Sequence, residues 1–301
     1  MANLSLSDAE SRLNLKAGSF PFRSHYLEVG KARLHYVDEG TGPTLLLLHG
    51  NPTWSILYRG LIEQLRDAFR CIAADLGGFG LSEAPPGFSF LPQDHAALIA
   101  AFIERLELQN ATLIAHDWGG PIGLAARAHT GERINRLCLG NTWAWPVNGD
   151  FHFEWFSKLL GGPIGRMLAR RYAVFINVVM PSSMRRRKLS EDEMAGYRAP
   201  FRDPNTRRPM HIFPAAITGS RDFLREVEFW LQNFRGPLEF VWPENDIAFR
   251  DKELSHWRAL LPQAEVVRIA RCGHFLWLDA PEESAHAVRS FLQRTGTASR
   301  V

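Results

Sequence analysis

Short apolar runs alternate with longer segments of helical periodicity along the first half of the chain. Continuous or alternating apolar positions predict strands at 26–29, 32–37, 44–48, 70–74, 111–116 and 134–139. Apolar residues spaced three and four apart predict helices at 54–68, 92–106 and 118–128. Strands and helices that alternate through short joints are typical of an α/β fold, in which crossover helices cover a mostly parallel twisted sheet.

This alternation stops after Thr142 and resumes later. Residues 143–213 contain helical and irregular segments, several prolines and no convincing strand. Strand-like runs return at 238–242 and 266–270, and helices are predicted at 222–234 and 282–293. The sequence therefore predicts a core in two parts, 1–142 and 214–301, separated by a helical insert at 143–213.

Composition excludes several classes of protein. The chain has 301 residues, of which 46% are hydrophobic, and a formal net charge of +3. Its longest apolar stretches are far shorter than the ~20 residues that a membrane span needs. Basic residues are not clustered along the chain as they are in many nucleic-acid-binding proteins. We therefore expect neither a membrane nor a nucleic acid as a partner.

The cysteines and the first residues bear on compartment and cofactors. Cys71, Cys138 and Cys272 are widely spaced and form no CxxC pair, so the sequence predicts neither a disulfide framework nor a zinc site. Residues 1–20 lack the basic start and apolar centre of a signal peptide. We expect a cytoplasmic protein that uses no metal and no cofactor.

Asp117 lies where the predicted strand at 111–116 gives way to a helix. Ala115 and Gly119 flank it, which fits the pattern small-x-nucleophile-x-small of a sharp turn at the carboxyl edge of a sheet. Small residues flank such a turn because the backbones of strand and helix approach closely there. An aspartate near a helix N-terminus is also common for electrostatic reasons alone. On these residues alone, both interpretations stay open.

Three segments narrow the choice: HGNPTW at 49–54, DLGGFGLS at 75–82 and HDWGG at 116–120. Together they resemble the haloalkane dehalogenases of the α/β-hydrolase fold, and the resemblance extends from about residue 22 to residue 295. It implies that the insert forms a helical cap over the active site. It also implies hydrolysis of a carbon–halogen bond, which gives an alcohol, a halide ion and a proton.

An aspartate at position 117 suits this reaction. A haloalkane presents a saturated carbon, and an ionised carboxylate can displace halide from it without first losing a proton. The product is an alkyl ester of Asp117, and water can then attack the ester carbonyl. Serine would instead give an ether, which water does not readily open.

The resemblance also implies a histidine base in the chain order nucleophile, acid, histidine. His274 follows the predicted strand at 266–270 and has the required position. A histidine at this point without a catalytic role is the alternative interpretation. By contrast, His129, His211 and His286 are predicted at helix or loop surfaces.

The acid of this family follows either the strand before the insert or the strand after it. Residues 140–142 offer no carboxylate, whereas the segment after 238–242 contains Asp246 and Glu244. We favour Asp246, with Glu244 as the second choice and a solvated acidic turn as the non-catalytic alternative. The acid would orient the imidazole of His274 and stabilise its protonated form.

The departing halide needs hydrogen-bond donors. An indole N–H and an amide NH₂ can supply them, and Trp118 and Asn51 resemble the halide-binding pair of the family. Their backbone N–H groups are expected to form the oxyanion hole for ester hydrolysis. Core packing for Trp118 and an Asn-Pro turn for Asn51 are the structural alternatives. With Asp246, this pair matches the subgroup that has a late aspartate and an Asn-plus-Trp halide site.

The expected cap is rich in aromatic residues. These are predicted to pack against the core or to line an apolar, water-poor pocket, and they are Trp143, Trp145, Phe151, Phe153, Trp155, Phe156 and Phe175. The basic run at 184–188 is predicted to be solvated cap surface.

Other functions stay open at this stage. An epoxide hydrolase would use the same Asp ester with two cap tyrosines as acids, and Tyr172 and Tyr197 are available. Asn51 counts against it, because that family usually has an aromatic residue there. A luciferase-like monooxygenase and a non-catalytic small-molecule-binding protein are the remaining alternatives. The expected partners are a small apolar halogenated substrate, water and halide, and self-association is left open.

Overall fold

The computed structural model describes residues 7–296 and contains one sheet of eight strands. The strands are β1 Ser24–Val29, β2 Ala32–Glu39, β3 Thr44–Leu48, β4 Arg70–Ala74, β5 Ala111–His116, β6 Ile134–Gly140, β7 Leu238–Pro243 and β8 Glu265–Ile269. Their order across the sheet is β1-β2-β4-β3-β5-β6-β7-β8. The pairs β1–β2 and β2–β4 are antiparallel and all the others are parallel. The predicted α/β-hydrolase architecture is confirmed.

Helices cover both faces of the sheet. Those that flank the core are α1 Asp8–Leu13, α2 Arg59–Leu65, α3 Pro92–Arg105, α4 Gly119–Thr130, and later α11 Asp251–Leu260, α12 Leu276–Asp279 and α13 Pro281–Arg294. Every residue of β5 is buried, which explains why the central strands are continuous apolar runs rather than alternating ones. The helix predicted at 54–68 is shorter than expected, because Ser55–Tyr58 forms a 3₁₀ turn before α2.

The register of the central strands brings several loops to one edge of the sheet. Leu48 of β3 lies beside Ala115 of β5, which in turn lies beside Leu139 of β6. Since these strands are parallel, the residues that follow them emerge at the same carboxyl edge. Ligands of open α/β sheets bind at this edge.

The helical insert lies between β6 and β7. Its helices are α5 Phe151–Gly161, α6 Pro163–Tyr172, α7 Met180–Ser182, α8 Glu191–Arg198 and α9 Arg208–Gly219, followed by α10 Arg221–Leu231. The boundary expected at 213 falls inside α9, because Pro214 is accommodated within that helix instead of ending it. Phe175–Val179 forms a π-helical turn.

Burial decides two further points. Cys71, Cys138 and Cys272 are free and buried. Burial raises the pKa of the Cys71 thiol to about 12 and raises the pKa of both Cys138 and Cys272 above the ordinary thiol range. Among residues 7–296, no helix has the length and apolar character that crossing a bilayer requires.

Candidate active site

Asp117 occupies the turn between β5 and α4 in a left-handed backbone conformation, with φ at +50°. This region is unfavourable for a residue with a side chain, and hydrogen bonds on both sides of Asp117 hold it there. Its N–H donates to the carbonyl of Asn141 over 2.8 Å, and the hydroxyl of Thr142 donates to its carbonyl over 2.7 Å. The turn therefore projects the Asp117 side chain over the carboxyl edge of the sheet.

Close backbone approach explains the small residues around this turn. A Cβ added at Gly119 would lie 2.1 Å from the carbonyl oxygen of Leu48. A Cβ added at Gly50 would lie 2.2 Å from Oδ1 of Asp117. Real Cβ atoms do not approach so closely, so glycine is required at both positions for the carboxylate to occupy this site.

The Asp117 carboxylate is held by a backbone donor. The N–H of Asn51 donates to its Oδ1 over 2.8 Å. Burial raises the pKa of Asp117, while the nearby His274 and the backbone N–H groups of Trp118 and Asn51 oppose that rise. The same two N–H groups lie where charge would develop on an oxygen of this carboxyl group.

His274 pairs with Asp246. The Nδ1 atom of His274 lies 3.0 Å from Oδ2 and 3.1 Å from Oδ1 of Asp246, and both residues are buried. Burial alone would lower the pKa of His274, but the carboxylates of Asp246 and Asp117 outweigh it and raise this pKa. Glu244, the second choice for the acid, is exposed and accepts the N–H of Arg271 over 3.2 Å.

Two further groups hold the Asp246 carboxylate. The N–H of Ala248 donates to Oδ1 over 2.7 Å, and the side-chain amide of Asn141 donates to Oδ2. Burial would raise the pKa of Asp246, but His274 and these two donors lower it below the ordinary carboxyl value. Asp246 therefore stays ionised beside His274.

The loop that carries His274 is fixed at several points. The Nε2 atom of His116 lies 2.9 Å from the carbonyl of His274, and the N–H of His274 donates to the carbonyl of Ser183 in the cap over 3.0 Å. Asp279 is buried and accepts the N–H of Gly273 over 2.9 Å. The sequence analysis missed His116, Asn141 and Asp279, because no local motif marks residues that act through backbone contacts.

A cavity of about 250 Å³ brings the predicted site residues together. Asn51, Asp117, Trp118 and His274 line it, and most of the remaining wall is apolar. Of the cap aromatics predicted from the sequence, those in the wall are Trp143, Phe153, Phe156 and Phe175. Phe151 and Trp155 are instead exposed, and Trp145 packs edge-on against Trp257.

Trp118 and Asn51 present side-chain donors to this cavity. The indole ring of Trp118 is stacked on Phe213 with centroids 5.3 Å apart, and within residues 7–296 its N–H has no hydrogen-bond acceptor. The Asn51 amide donates to the carbonyl of Met210 over 3.4 Å, at the long end of the range. Both groups are therefore available to a ligand in the cavity.

The tyrosines lie elsewhere. Tyr172 is 55% exposed, and Tyr197 is buried but does not line this cavity. All five tyrosines of the chain fall within the described residues, and none of them contributes to its wall. The acid pair that an epoxide hydrolase would need is therefore not in place.

Comparison with known proteins agrees with the fold and the family. The model of the alpha/beta hydrolase fold family matches residues 43–281. "Haloalkane dehalogenase 2" of Mycobacterium tuberculosis is 38% identical over 274 residues, which are 89% of this chain and 94% of that protein. The chain belongs to the haloalkane dehalogenase family.

Two further relatives define the range of this family. A solved haloalkane dehalogenase from Bradyrhizobium elkani has a TM-score of 0.82 at 26% identity and covers 91% of this chain and 99% of that one. "Cis-3-alkyl-4-alkyloxetan-2-one decarboxylase" of Shewanella oneidensis is 31% identical over 295 residues, 92% of this chain and 90% of that protein. Dehalogenase-like sequences thus extend to at least one protein named for a different reaction.

Proposed function

We propose that this haloalkane dehalogenase family member hydrolyses the carbon–halogen bond of small apolar haloalkanes, with Asp117 as the nucleophile. The arrangement of Asp117 and His274 on one apolar cavity carries the proposal. Neither a buried carboxylate nor a buried histidine is needed for the stability of such a cavity wall, because burying either group costs free energy. Both residues suit a two-step displacement.

In the first step, a carboxylate oxygen of Asp117 attacks the halogenated carbon. A carbon–oxygen bond forms, the carbon–halogen bond breaks, and the bonding electrons leave with the halide. The indole N–H of Trp118 and the amide of Asn51 donate to the departing ion. Apolar walls favour this step, since a poorly hydrated carboxylate is more reactive and an apolar substrate binds by burial.

In the second step, water opens the ester. The Nδ1–H of His274 donates to Asp246, which leaves Nε2 as the base that accepts a proton from water. The resulting hydroxide attacks the ester carbonyl carbon of Asp117, and the backbone N–H groups of Asn51 and Trp118 stabilise the oxyanion. The alcohol leaves, Asp117 is regenerated, and His274 releases its proton to solvent.

The same assignment places the chain in the subgroup with a late acid and an Asn-plus-Trp halide pair. Asp246 follows β7, after the insert, and its contact with His274 supports this subgroup. The insert then acts as the cap between core parts 1–142 and 214–301, and it extends past 213 to the end of α9. Halogenated substrate, water and halide are the proposed partners.

A second candidate is supported by the relative from Shewanella oneidensis. An oxetanone with two alkyl groups is as apolar as a haloalkane, and the lining of the cavity suits either compound. This candidate predicts release of carbon dioxide from a cis-3,4-dialkyloxetan-2-one.

Product analysis with purified protein tests these proposals. We expect bromide release from 1-bromobutane, no diol from styrene oxide, and loss of bromide release in Asp117→Ala. Carbon dioxide from the oxetanone with no bromide from any of several bromoalkanes would favour the second candidate. Failure of all three reactions, with retained binding of these compounds, would instead indicate a small-molecule-binding protein.

A further inference from the structure

Three cationic side chains of the cap converge where α6 meets α9. Arg166 and Arg170 lie one turn apart on α6, and Arg208 is the first residue of α9. Together with Asn205 and His211 they line a cavity of about 290 Å³, which we call the Arg–His groove. None of these residues lines the active-site cavity.

The arginines of this groove lack the acidic partners that arginines have elsewhere in the chain. Arg70, for example, pairs with Asp38 at 2.6 Å. Within the described part of the chain, no carboxylate oxygen lies within 4.0 Å of the guanidinium of Arg166, Arg170 or Arg208. Like charges that are close and unbalanced repel one another, so the empty groove carries an electrostatic cost.

The nearest polar groups along the chain do not neutralise this charge. Asp203, the closest acid in sequence, accepts the N–H of Asn205 over 2.8 Å. Arg207 adds a further cation and donates to the carbonyl of Arg170 over 2.7 Å. The guanidinium of Arg208 lies over the ring of Phe90, 5.3 Å from its centroid, which limits its orientations.

His211 is the second observation at this place. The sequence analysis expected it at a surface, and this was wrong: packing of α9 leaves it only 8% exposed. Its Nδ1 is buried without a hydrogen-bond partner among residues 7–296. Burial, together with the charges of Arg166, Arg170 and Arg208, lowers the pKa of His211 to about 4. At neutral pH the ring is therefore uncharged and still has one N–H to donate.

We propose that the Arg–His groove binds a small oxyanion of the phosphate class, free or as the headgroup of a larger molecule. Guanidinium groups match the geometry of phosphate oxygens and bind them with charge-assisted hydrogen bonds. A doubly charged anion offsets the repulsion among the three arginines, and the amide of Asn205 supplies a further donor. The site does not depend on the proposed reaction, because it is separate from the active-site cavity.

Titration of the full chain with inorganic phosphate and pyrophosphate, followed by calorimetry and by NMR of the His211 ring, tests this assignment. We expect saturable binding and a rise in the pKa of His211 when the anion is bound, since the anion cancels the positive field. In Arg170→Gln/Arg208→Gln, binding should weaken about tenfold or more. Unchanged thermal unfolding and halide release would show that this variant is folded.

The matched control is Arg171→Gln/Arg202→Gln, which removes the same charge from exposed positions outside the groove. Its phosphate affinity should stay within about twofold of the parent, because exposed charges act weakly at physiological salt. An equal loss in both double variants would mean a diffuse charge effect and would overturn the site.

Vesicles of phosphatidylcholine with phosphatidic acid distinguish the two sources of the ligand. Capture of the protein by these vesicles that is lost in Arg170→Gln/Arg208→Gln assigns a headgroup. Saturable phosphate binding without capture assigns a soluble anion. The absence of both would overturn the proposal.

Discussion

The carboxylate of Asp279 accepts the backbone N–H of Gly273, the residue before His274, over 2.9 Å. It also accepts the N–H of Arg185 over 3.0 Å and that of Arg186 over 3.1 Å. One buried side chain therefore ties the loop of the proposed base to a segment of the cap. Because this contact is remote from the nucleophile, its loss should act on one reaction step more than on the other.

We expect Asp279→Asn to slow ester hydrolysis about tenfold to a hundredfold, because a small displacement of His274 is enough to misalign the attacking water. Formation of the Asp117 ester should change little. Burst and steady-state rates of halide release separate the two steps. The control is Glu283→Gln, which removes the ion pair with Arg186 nearby and should leave both rates near wild type. Equal slowing of both steps would contradict a role in positioning His274.

Replacing the base should trap the intermediate. In His274→Ala, the carboxylate of Asp117 can still displace halide, but no group remains to activate water. Intact-mass spectrometry after incubation with 1-bromobutane should show one added butyl group, and peptide mapping should place it on Asp117. His129→Ala, which removes an exposed histidine, should give no adduct. An unmodified His274→Ala protein would count against the ester mechanism.

Trp118→Phe should weaken the binding of halide and slow the first step. The ring can still stack on Phe213, but the indole N–H is lost, and one such donor is worth about 3 kcal/mol at the transition state. Bromide inhibition constants and the burst rate of bromide release measure the effect. Trp242→Phe is the matched control, since this indole is also buried but lies in β7 outside the cavity. Similar losses in both variants would indicate a packing effect.

The two steps should depend on pH differently. Ester formation needs ionised Asp117, whose pKa is raised by burial, so this step is lost as pH falls through a value above that of an ordinary carboxyl group. Ester hydrolysis needs neutral His274, whose pKa is raised because the Asp246 and Asp117 carboxylates outweigh burial, so this step is lost at higher pH. Rapid-quench measurements across pH should show the ester accumulating between the two values. Coincident profiles would contradict these assignments.

Gly119→Ala should destabilise the fold. The added methyl group would lie 2.1 Å from the carbonyl oxygen of Leu48, and relief of such overlap lowers the free energy of unfolding by about 1–3 kcal/mol. Gly219→Ala adds a methyl group at the end of α9 with no atom within 4 Å. It should leave stability unchanged or raise it by up to about 1 kcal/mol. Chemical denaturation of both variants checks the contrast.

The sheet could be predicted from the sequence because its central strands are buried on both faces. Such strands must be continuous apolar runs, and β3, β5 and β6 have this form. The region of α2 was harder to predict. The N–H of Ser55 donates to Oδ1 of the buried Asp75 over 2.7 Å, and this tertiary contact fixes a 3₁₀ turn where periodicity alone suggests α-helix.

The candidate site could be predicted as far as local motifs reach. Asp117 and Trp118 belong to one turn, and Asp246 follows a strand. The basic run at 184–188 shows where local reasoning ends. Its arginine side chains are exposed as expected, but the N–H groups of Arg185 and Arg186 bind Asp279, more than 90 residues away along the chain. No periodicity or spacing encodes a contact of that kind.

Burial of all three native cysteines has a practical consequence. A maleimide reagent needs an accessible thiolate, and Cys71, Cys138 and Cys272 are enclosed and have raised pKa values. A single cysteine introduced at an exposed cap position, such as Trp155, would therefore take a fluorophore selectively in the native enzyme. Such a label would report directly on the motion of the cap during turnover.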